Sequence, residues 1–248
     1  MLETSKISVL ACIVIFMQLT QANSPSDLKQ CAFNDSTCTT NFAKLLLKNK
    51  SKTGWPELKL IPFDPMRINS LILQPNPNSP ISIGLKFKNI EILGLMNTQN
   101  VRVEGFTSDV KDPILLEGTL PQAIIRGPYE GSGTVLGLPF KGKGDCEIVL
   151  TNLKLTGHLH GKLINGYLSI DDVSLTMSLP DKVHFKFGGL FDGNKDLGDT
   201  ANAFVNDNWR EIFESMKDDM ALAFAKIVKE ITKTALGSVQ YKELFKEQ

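Results

Sequence analysis

From Asp199 to Leu236 the chain runs without a Gly or Pro, and it does so after a long stretch that reads almost wholly as strands. Val205, Trp209, Ile212, Phe213, Met216, Met220, Phe224, Ile227 and Ile231 recur in steps of three and four, which puts them on one side of a 3.6-residue helix. Fully helical, the segment would span roughly 57 Å. No second helix of similar length is predicted, so the partner that buries this stripe must be the preceding strands. Phe204 and Leu222 fall on another side of the wheel and suggest that more than one face is covered.

The strands are legible as period-two patterns. Ile81, Ile83, Leu85 and Phe87 alternate with polar or small residues, as do Val101 with Val103, and Leu153 with Leu155. The pattern returns in Val173, Leu175, Met177 and Leu179, and in Val183, Phe185 and Phe187. Six or more strands without an intervening helix predict an antiparallel meander, because parallel strands need long crossovers. Thirteen glycines between Gly84 and Gly166 favour bulges and coiling over flat pairing, so the sheet is expected to curve sharply. Asp199 or Thr200 is positioned to cap the long helix after the polar turn from Phe191. The fold class expected is α+β, a long C-terminal helix wrapped in a strongly curved antiparallel sheet.

The N-terminus reads as a secretory leader over residues 1–22. Lys6 precedes an apolar run from Ile7 to Leu19, with small residues Ala22 and Ser24 at the cleavage region. The run falls short of the ~20 apolar residues that span a bilayer, so stable membrane insertion is not expected. The remainder, 23–248, is long enough for one sizeable core and is expected to be a single domain. Formal net charge is zero and stays zero when Glu3 and Lys6 leave, which gives no field to attract nucleic acid. In a secreted chain Cys31 and Cys38 are expected to close a small disulfide loop, which leaves Cys146 as either a buried free thiol or an intermolecular link, and the apolar Ile148 and Val149 after it favour burial. Asn34 and Asn49 each begin a glycosylation sequon. Thr39 to Lys48 predicts a short amphipathic helix with Phe42, Leu45 and Leu46 on one face, and Gln74 to Pro80 a proline-rich loop.

Catalytic patterns fail at identifiable positions. Leu136 stands where a phosphate loop needs its last glycine, and Glu130 where a serine-hydrolase elbow needs its first. His158 and His160 share one strand face, with His184 and Cys146 as distant companions, a pattern better explained by solvated side chains than by zinc. Asp171-Asp172 and Asp218-Asp219 point apart on a strand or helix and read as solvated faces. Neither an enzyme, nor a cofactor, nor a metal site is expected.

Several stretches together resemble one family, the insect takeout and juvenile-hormone-binding proteins. They are the Cys31 and Cys38 pair, Arg126-Gly-Pro-Tyr-Glu-Gly-Ser-Gly133 running to Pro139-Phe-Lys-Gly-Lys-Gly144, Leu190-Phe-Asp-Gly-Asn-Lys-Asp-Leu-Gly198, Phe204-Val-Asn-Asp-Asn-Trp-Arg-Glu-Ile212, and Tyr241-Lys-Glu-Leu-Phe245. The resemblance implies a tubular lipid-binding fold with an internal tunnel. It further implies a secreted carrier of juvenile hormone, another terpenoid or a fatty-acyl-like molecule, linked to feeding, circadian output or chemosensation. The hormone-binding branch typically has a second disulfide, whereas the single bridge here looks more like the takeout branch. The candidate lining is Trp209, Phe213, Met216 and Met220 from the helix, with Phe87, Val103, Tyr129, Phe140, Tyr167, Met177 and Phe187 from the strands. Tyr129 and Tyr167 are the candidates for a hydroxyl offered to a polar head group. Two rival readings are a secreted interaction protein acting at a cell-surface receptor or membrane, and a lipid esterase.

Overall fold

The computed structural model describes residues 30–76 and 81–246. The predicted leader lies outside these residues, as does the second half of the proline-rich loop. The strands are β1 (Cys31–Ala32), β2 (Met66–Leu73), β3 (Ile81–Leu93), β4 (Gln99–Glu104), β5 (Ile114–Val135), β6 (Leu138–Ile164), β7 (Tyr167–Met177), β8 (Lys182–Phe187) and β9 (Phe245–Lys246). The α-helices are α1 (Ser36–Asn49), α2 (Lys195–Asp207), α3 (Trp209–Leu236) and α4 (Tyr241–Leu244).

Seven antiparallel strands form the main sheet in the order β2-β3-β5-β6-β7, with β4 also pairing β5 and β8 also pairing β6. The long strands therefore each serve two partners end to end. β5 pairs β4 from Thr119 back to Leu115 and β3 from Ile124 to Val135. β6 pairs β8 over Cys146 to Thr151 and β7 over Leu155 to Ile164. This doubling makes an elongated sheet that curls as a half-barrel, whose inner face packs against α3. Period-two burial holds as expected in β3, where Ile81, Ile83, Leu85 and Phe87 are all buried, and in β8 at Val183, Phe185 and Phe187.

The core divides into two clusters along the helix. The first gathers β2, β3, β8, most of β5 and β6, α2 and the beginning of α3. The second gathers the ends of β5 and β6 with β4, β7, α1, α4 and the later part of α3. At that second end β1 pairs parallel with β9, so the N-terminal segment is tied to the C-terminal one. Cys31 and Cys38 form the expected disulfide, with Cα atoms 5.6 Å apart. Asp35 caps α1 by accepting the Cys38 N–H at 2.9 Å. Thr39 and Thr40 then dock α1 on β4: the Thr39 hydroxyl donates to the Val103 carbonyl at 2.9 Å, and the Val103 N–H donates to Thr40 Oγ1 at 2.9 Å. Phe33, Phe106, Tyr241 and Phe245 pack as neighbouring rings around the same corner.

Three expectations need correction. The long helix begins at Lys195, not Asp199, because the Asn194 side chain accepts the Leu197 N–H and caps it one turn earlier, with Gly198 inside. It is also two helices rather than one. Asn208 departs from helical geometry at φ −106°, ψ 24°, and its side-chain Nδ2 donates to the Phe204 carbonyl at 2.8 Å, competing with the regular ladder. Leu45 and Leu222 are 55% and 60% exposed, so neither belongs to a buried face. Beyond Phe213 the buried positions of α3 are Ala221 and Ala225. Ala225 packs in the second cluster with Leu168, Ile170 and Val173 of β7, where a small side chain suits the close approach of the helix to that strand.

Removing the bridge with Cys31→Ser and Cys38→Ser is expected to destabilise the fold by about 2–3 kcal/mol, the loop-closure entropy of a short loop. Denaturant unfolding of the two proteins measures this, and equal midpoints would show that β1, β9 and the threonine contacts hold α1 without it.

Candidate functional site

An apolar cavity of about 40 Å³ lies between α3 and the concave face of the sheet. Five strands contribute: Leu71 and Leu73 of β2, Leu85 and Phe87 of β3, Ile125 of β5, Ile148 and Leu150 of β6, and Val183 and Phe185 of β8. α3 closes it with Ile212, Phe213, Met216, Met220 and Phe224. Among the described residues no polar side chain lines it. Phe213 is 2% exposed, whereas Met216, Met220 and Phe224 are only partly buried against the same cluster. The methionine side chains have three flexible bonds each and can adapt to an irregular apolar shape.

Of the residues nominated from sequence, the structure brings Phe87, Phe213, Met216 and Met220 together on this cavity. The others are distributed elsewhere. Tyr129, Phe140 and Phe187 form a buried aromatic group in the first cluster, with ring centroids 4.9 Å apart for Tyr129 and Phe187 and 5.4 Å for Phe140 and Phe187. Gly142 makes room for this group, since a Cβ there would stand 2.2 Å from the Tyr129 hydroxyl oxygen and 2.6 Å from Leu190. The Tyr129 hydroxyl donates to the Gly188 carbonyl at 2.9 Å, and burial raises its pKa, so its proton stays on that bond. Val103 is buried in the second cluster under α1. Tyr167 is half-buried at the start of β7, bridged to Gln240. Met177 ends β7 and Trp209 begins α3, both half-buried against the first cluster, with the Arg210 guanidinium 5.0 Å from the Trp209 ring centre.

Sequence reasoning passed over most of the strand lining. Leu71, Leu85, Ile125, Ile148 and Phe185 look like ordinary inward-facing strand residues, and only the curl of the sheet converges them on one space. Period-two burial was the available signal, but it does not say which inward residues face one another across the helix.

Outside the wall lies a second, open cleft of about 990 Å³. It is bounded by Asn202, Ala203 and Asn206 of α2, by Phe185 to Gly189, and by the outer face of the sheet at Glu91, Arg126 and Glu147. These last side chains belong to one cross-strand row of alternating charge: Arg67 opposite Glu91, Glu91 opposite Arg126, Arg126 opposite Glu147, and Glu147 opposite Lys186. Hydrogen bonds from Arg126 and then Arg67 hold the Glu91 carboxyl below its usual range.

Cys146 is a buried free thiol, as expected, donating to the Gly127 carbonyl at 3.4 Å. Burial, and secondarily the Asp145 charge, pushes its pKa up to about 12. His160, His184, Asp171, Asp172, Asp218 and Asp219 are all solvent-exposed and His158 is half-exposed. Among the described residues no three His, Cys, Asp or Glu side chains gather as a metal cluster, and no helix is long and apolar enough to cross a membrane.

The sequence profile of the family described as haemolymph juvenile hormone binding protein (JHBP) matches residues 9–246. The circadian clock-controlled protein daywake of Drosophila melanogaster is 25% identical over 233 residues, covering 90% of this chain and 89% of that protein. The daywake protein of Drosophila yakuba is likewise 25% identical, over 236 residues, with 90% and 89% covered. The crystal structure of Epiphyas postvittana Takeout 1 superposes with a TM-score of 0.75 at 22% identity, over 87% of this chain and 98% of that one, which establishes the shared fold.

The raised pKa keeps Cys146 as an inert thiol across the neutral range, since the thiolate is the reactive form and becomes populated only near pH 12. Native protein at pH 8 is expected to resist alkylation for hours while denatured protein labels within minutes, and fast labelling of the native form by mass spectrometry would contradict this burial.

Proposed function

Because the chain belongs to the haemolymph juvenile hormone binding protein family, we propose that it is a secreted, non-enzymatic carrier of a small extended hydrophobic ligand. The observation that carries this reading is the all-apolar cavity between α3 and five strands, with pliable Met216 and Met220 in its wall. The ligand class is a terpenoid such as juvenile hormone, or a fatty-acyl-like lipid. The family's description supports the first, and a lining without a polar group suits an unfunctionalised tail of either. Secretion is supported by the leader pattern over residues 1–22 and by the Cys31–Cys38 bridge. A part in circadian, feeding or chemosensory signalling is suggested by the clock-controlled name of the daywake relatives and by the takeout resemblance.

A cavity of about 40 Å³ receives only a fraction of such a ligand. Uptake therefore proceeds by displacement, with Met216, Met220 and Phe224 turning away from the sheet as the tail enters. Transfer of about fifteen methylenes from water is worth on the order of 12 kcal/mol at ~0.8 kcal/mol each. Association and repacking costs of several kcal/mol leave micromolar to nanomolar affinity. Tail length then dominates affinity, and the Tyr129 hydroxyl, committed to Gly188, supplies a head-group contact only if that bond is exchanged. Of the remaining nominated residues, Phe140, Phe187, Trp209 and Met177 extend the same cluster and become lining when the cavity widens. Val103 and Tyr167 would join it only for a ligand that reaches the second cluster. Asn34 and Asn49 are proposed glycan sites, one inside the disulfide loop and the other exposed at the end of α1.

Native mass spectrometry of protein secreted from insect cells, with organic extraction, should find a stoichiometric apolar molecule chemically unchanged by the protein. An empty protein that also takes up no fluorescent fatty acid or terpenoid would overturn the carrier reading. Met216→Trp adds bulk at the cavity wall, where overpacking costs about 1–3 kcal/mol of stability. It is expected to weaken binding at least ten-fold while the circular dichroism spectrum is retained. Unchanged affinity in the folded variant removes Met216 from the site.

A further inference from the structure

The cavity is walled on two sides in physically different ways. β2, β3, β5 and β6 are joined by backbone ladders, so parting any two of them breaks a row of hydrogen bonds at once. The sheet ends beside the cavity at β2 and at β8, and at the β8 edge α2 bridges to α3. That junction is made by two asparagine side chains. Asn202 donates through Nδ2 to the Phe187 carbonyl and accepts the Phe187 N–H through Oδ1, both at 2.9 Å. One turn later Asn206 does the same to Phe185, at 2.7 and 2.8 Å. The two amides occupy the place where another strand would pair with β8.

α2 is mounted to move as a unit. Before it, Leu190 is buried and Gly189 is pressed onto β6, where a Cβ would stand 2.0 Å from the Lys143 carbonyl oxygen. Phe191, Asp192 and Gly193 then all take positive φ, at 49°, 56° and 86°, and the space around Gly193 is open. After α2 comes the helix break at Asn208. Between these two joints Val205 alone is fully buried among the residues of α2. Lifting α2 thus costs four amide hydrogen bonds, which water can replace, and the apolar contacts of Val205, Ala201 and Phe204 with the first cluster, while the ladders and α3 stay in place.

Phe185 connects the seam to the cavity. It lines the apolar cavity and the outer cleft, and its backbone is the group that Asn206 holds. We infer that the α2–β8 seam is the ligand's port. The outer cleft is the vestibule, an amphipathic acyl or isoprenoid chain passes Phe185 when α2 lifts, and Asn202 and Asn206 set the rate of exchange. This inference rests on the carrier reading, because a port needs a cargo.

The test uses the full-length secreted protein, stopped-flow uptake and release of an anthroyloxy-labelled C16 fatty acid, and amide hydrogen exchange. In the Asn202→Ala/Asn206→Ala protein both association and dissociation should quicken about ten-fold, with the equilibrium constant unchanged within about three-fold. The Phe185 and Phe187 amides should lose protection while those of β5 keep theirs. A second variant closes the seam instead: Lys186→Cys with Ala203→Cys, two residues that line the cleft, joined by a reducible bis-maleimide. Cross-linking should slow exchange at least ten-fold, and reduction should restore it. Unchanged rates in the alanine protein once its Phe185 and Phe187 amides have lost protection overturn the port, as does undiminished exchange in the cross-linked protein. A wild-type protein that takes up no probe overturns the carrier reading and the port with it, an outcome distinct from a binder whose rates ignore the seam.

Discussion

The β5–β6 hairpin is the constraint on which the rest of the molecule hangs, because its ladder runs from Ile114 opposite Leu159 to Val135 opposite Leu138 and contributes to both core clusters. Neither strand could bury its inner face with a single partner along that length. β3 and β4 therefore share β5, and β7 and β8 share β6. The hairpin also changes which residues face inward partway along. Buried positions in β5 step from Leu120 to Ala123 and in β6 from Leu153 to Leu150, with Pro121 and Asn152 unpaired between them and Asn152 at φ 53°. Proline lacks the N–H that the ladder would need there, so the two strands slip phase together. The sheet thereby turns its apolar face along the curve of the tube.

Against that spine, the two ends are held by different kinds of force. The second cluster is fixed by covalent and polar ties: the disulfide, the β1–β9 pair, the threonine contacts to Val103, and the Tyr241 hydroxyl donating to the Thr107 carbonyl at 2.8 Å. The first cluster is held mainly by apolar side chains, several on α3 only partly buried, and it contains the cavity. Rigid closure at one end and pliable packing at the other suit a protein that binds a lipophilic ligand without loosening the whole fold. Dispersion contacts are individually weak and non-directional, so methionines can be rearranged there at a cost that a threonine–backbone network would not tolerate.

Much of this was legible in the sequence, and what was hidden shares a physical cause. Period-two burial in β3 and β8 follows from local alternation, and the helical stripe through Phe213, Met216 and Met220 follows from local spacing. The curl of the sheet was anticipated from recurrent glycines. The break at Asn208 was not, because Asn208 reads as a tolerable helix residue until its side chain turns back to Phe204. Leu45 and Leu222 fit an amphipathic pattern yet meet solvent, since a periodic pattern says nothing about how far the opposing surface extends. Ala225 gave no strong hydrophobic signal, although it packs among Leu168, Ile170 and Val173 where α3 approaches β7. The cavity itself is a tertiary convergence of five strands, which is why four nominated residues meet there and seven do not.

Asn202 and Asn206 show how one placement can answer two physical demands. An exposed strand edge presents unpaired N–H and C=O groups that invite another chain to add on, and β8 has such an edge opposite β6. Covering it with a packed apolar helix would protect the edge but seal it, because reopening would expose a broad apolar surface to water. Asparagine amides protect the same N–H and C=O groups with partners that water can match. Their spacing of four residues along α2 brings successive amides onto one face of the helix, and Phe185 and Phe187 stand two apart on β8 so that their backbone groups share one edge. A helical period and a strand period are thus matched at this border of the sheet, where side chains supply the pairing. The edge stays closed to a second chain while its closure remains reversible for a ligand.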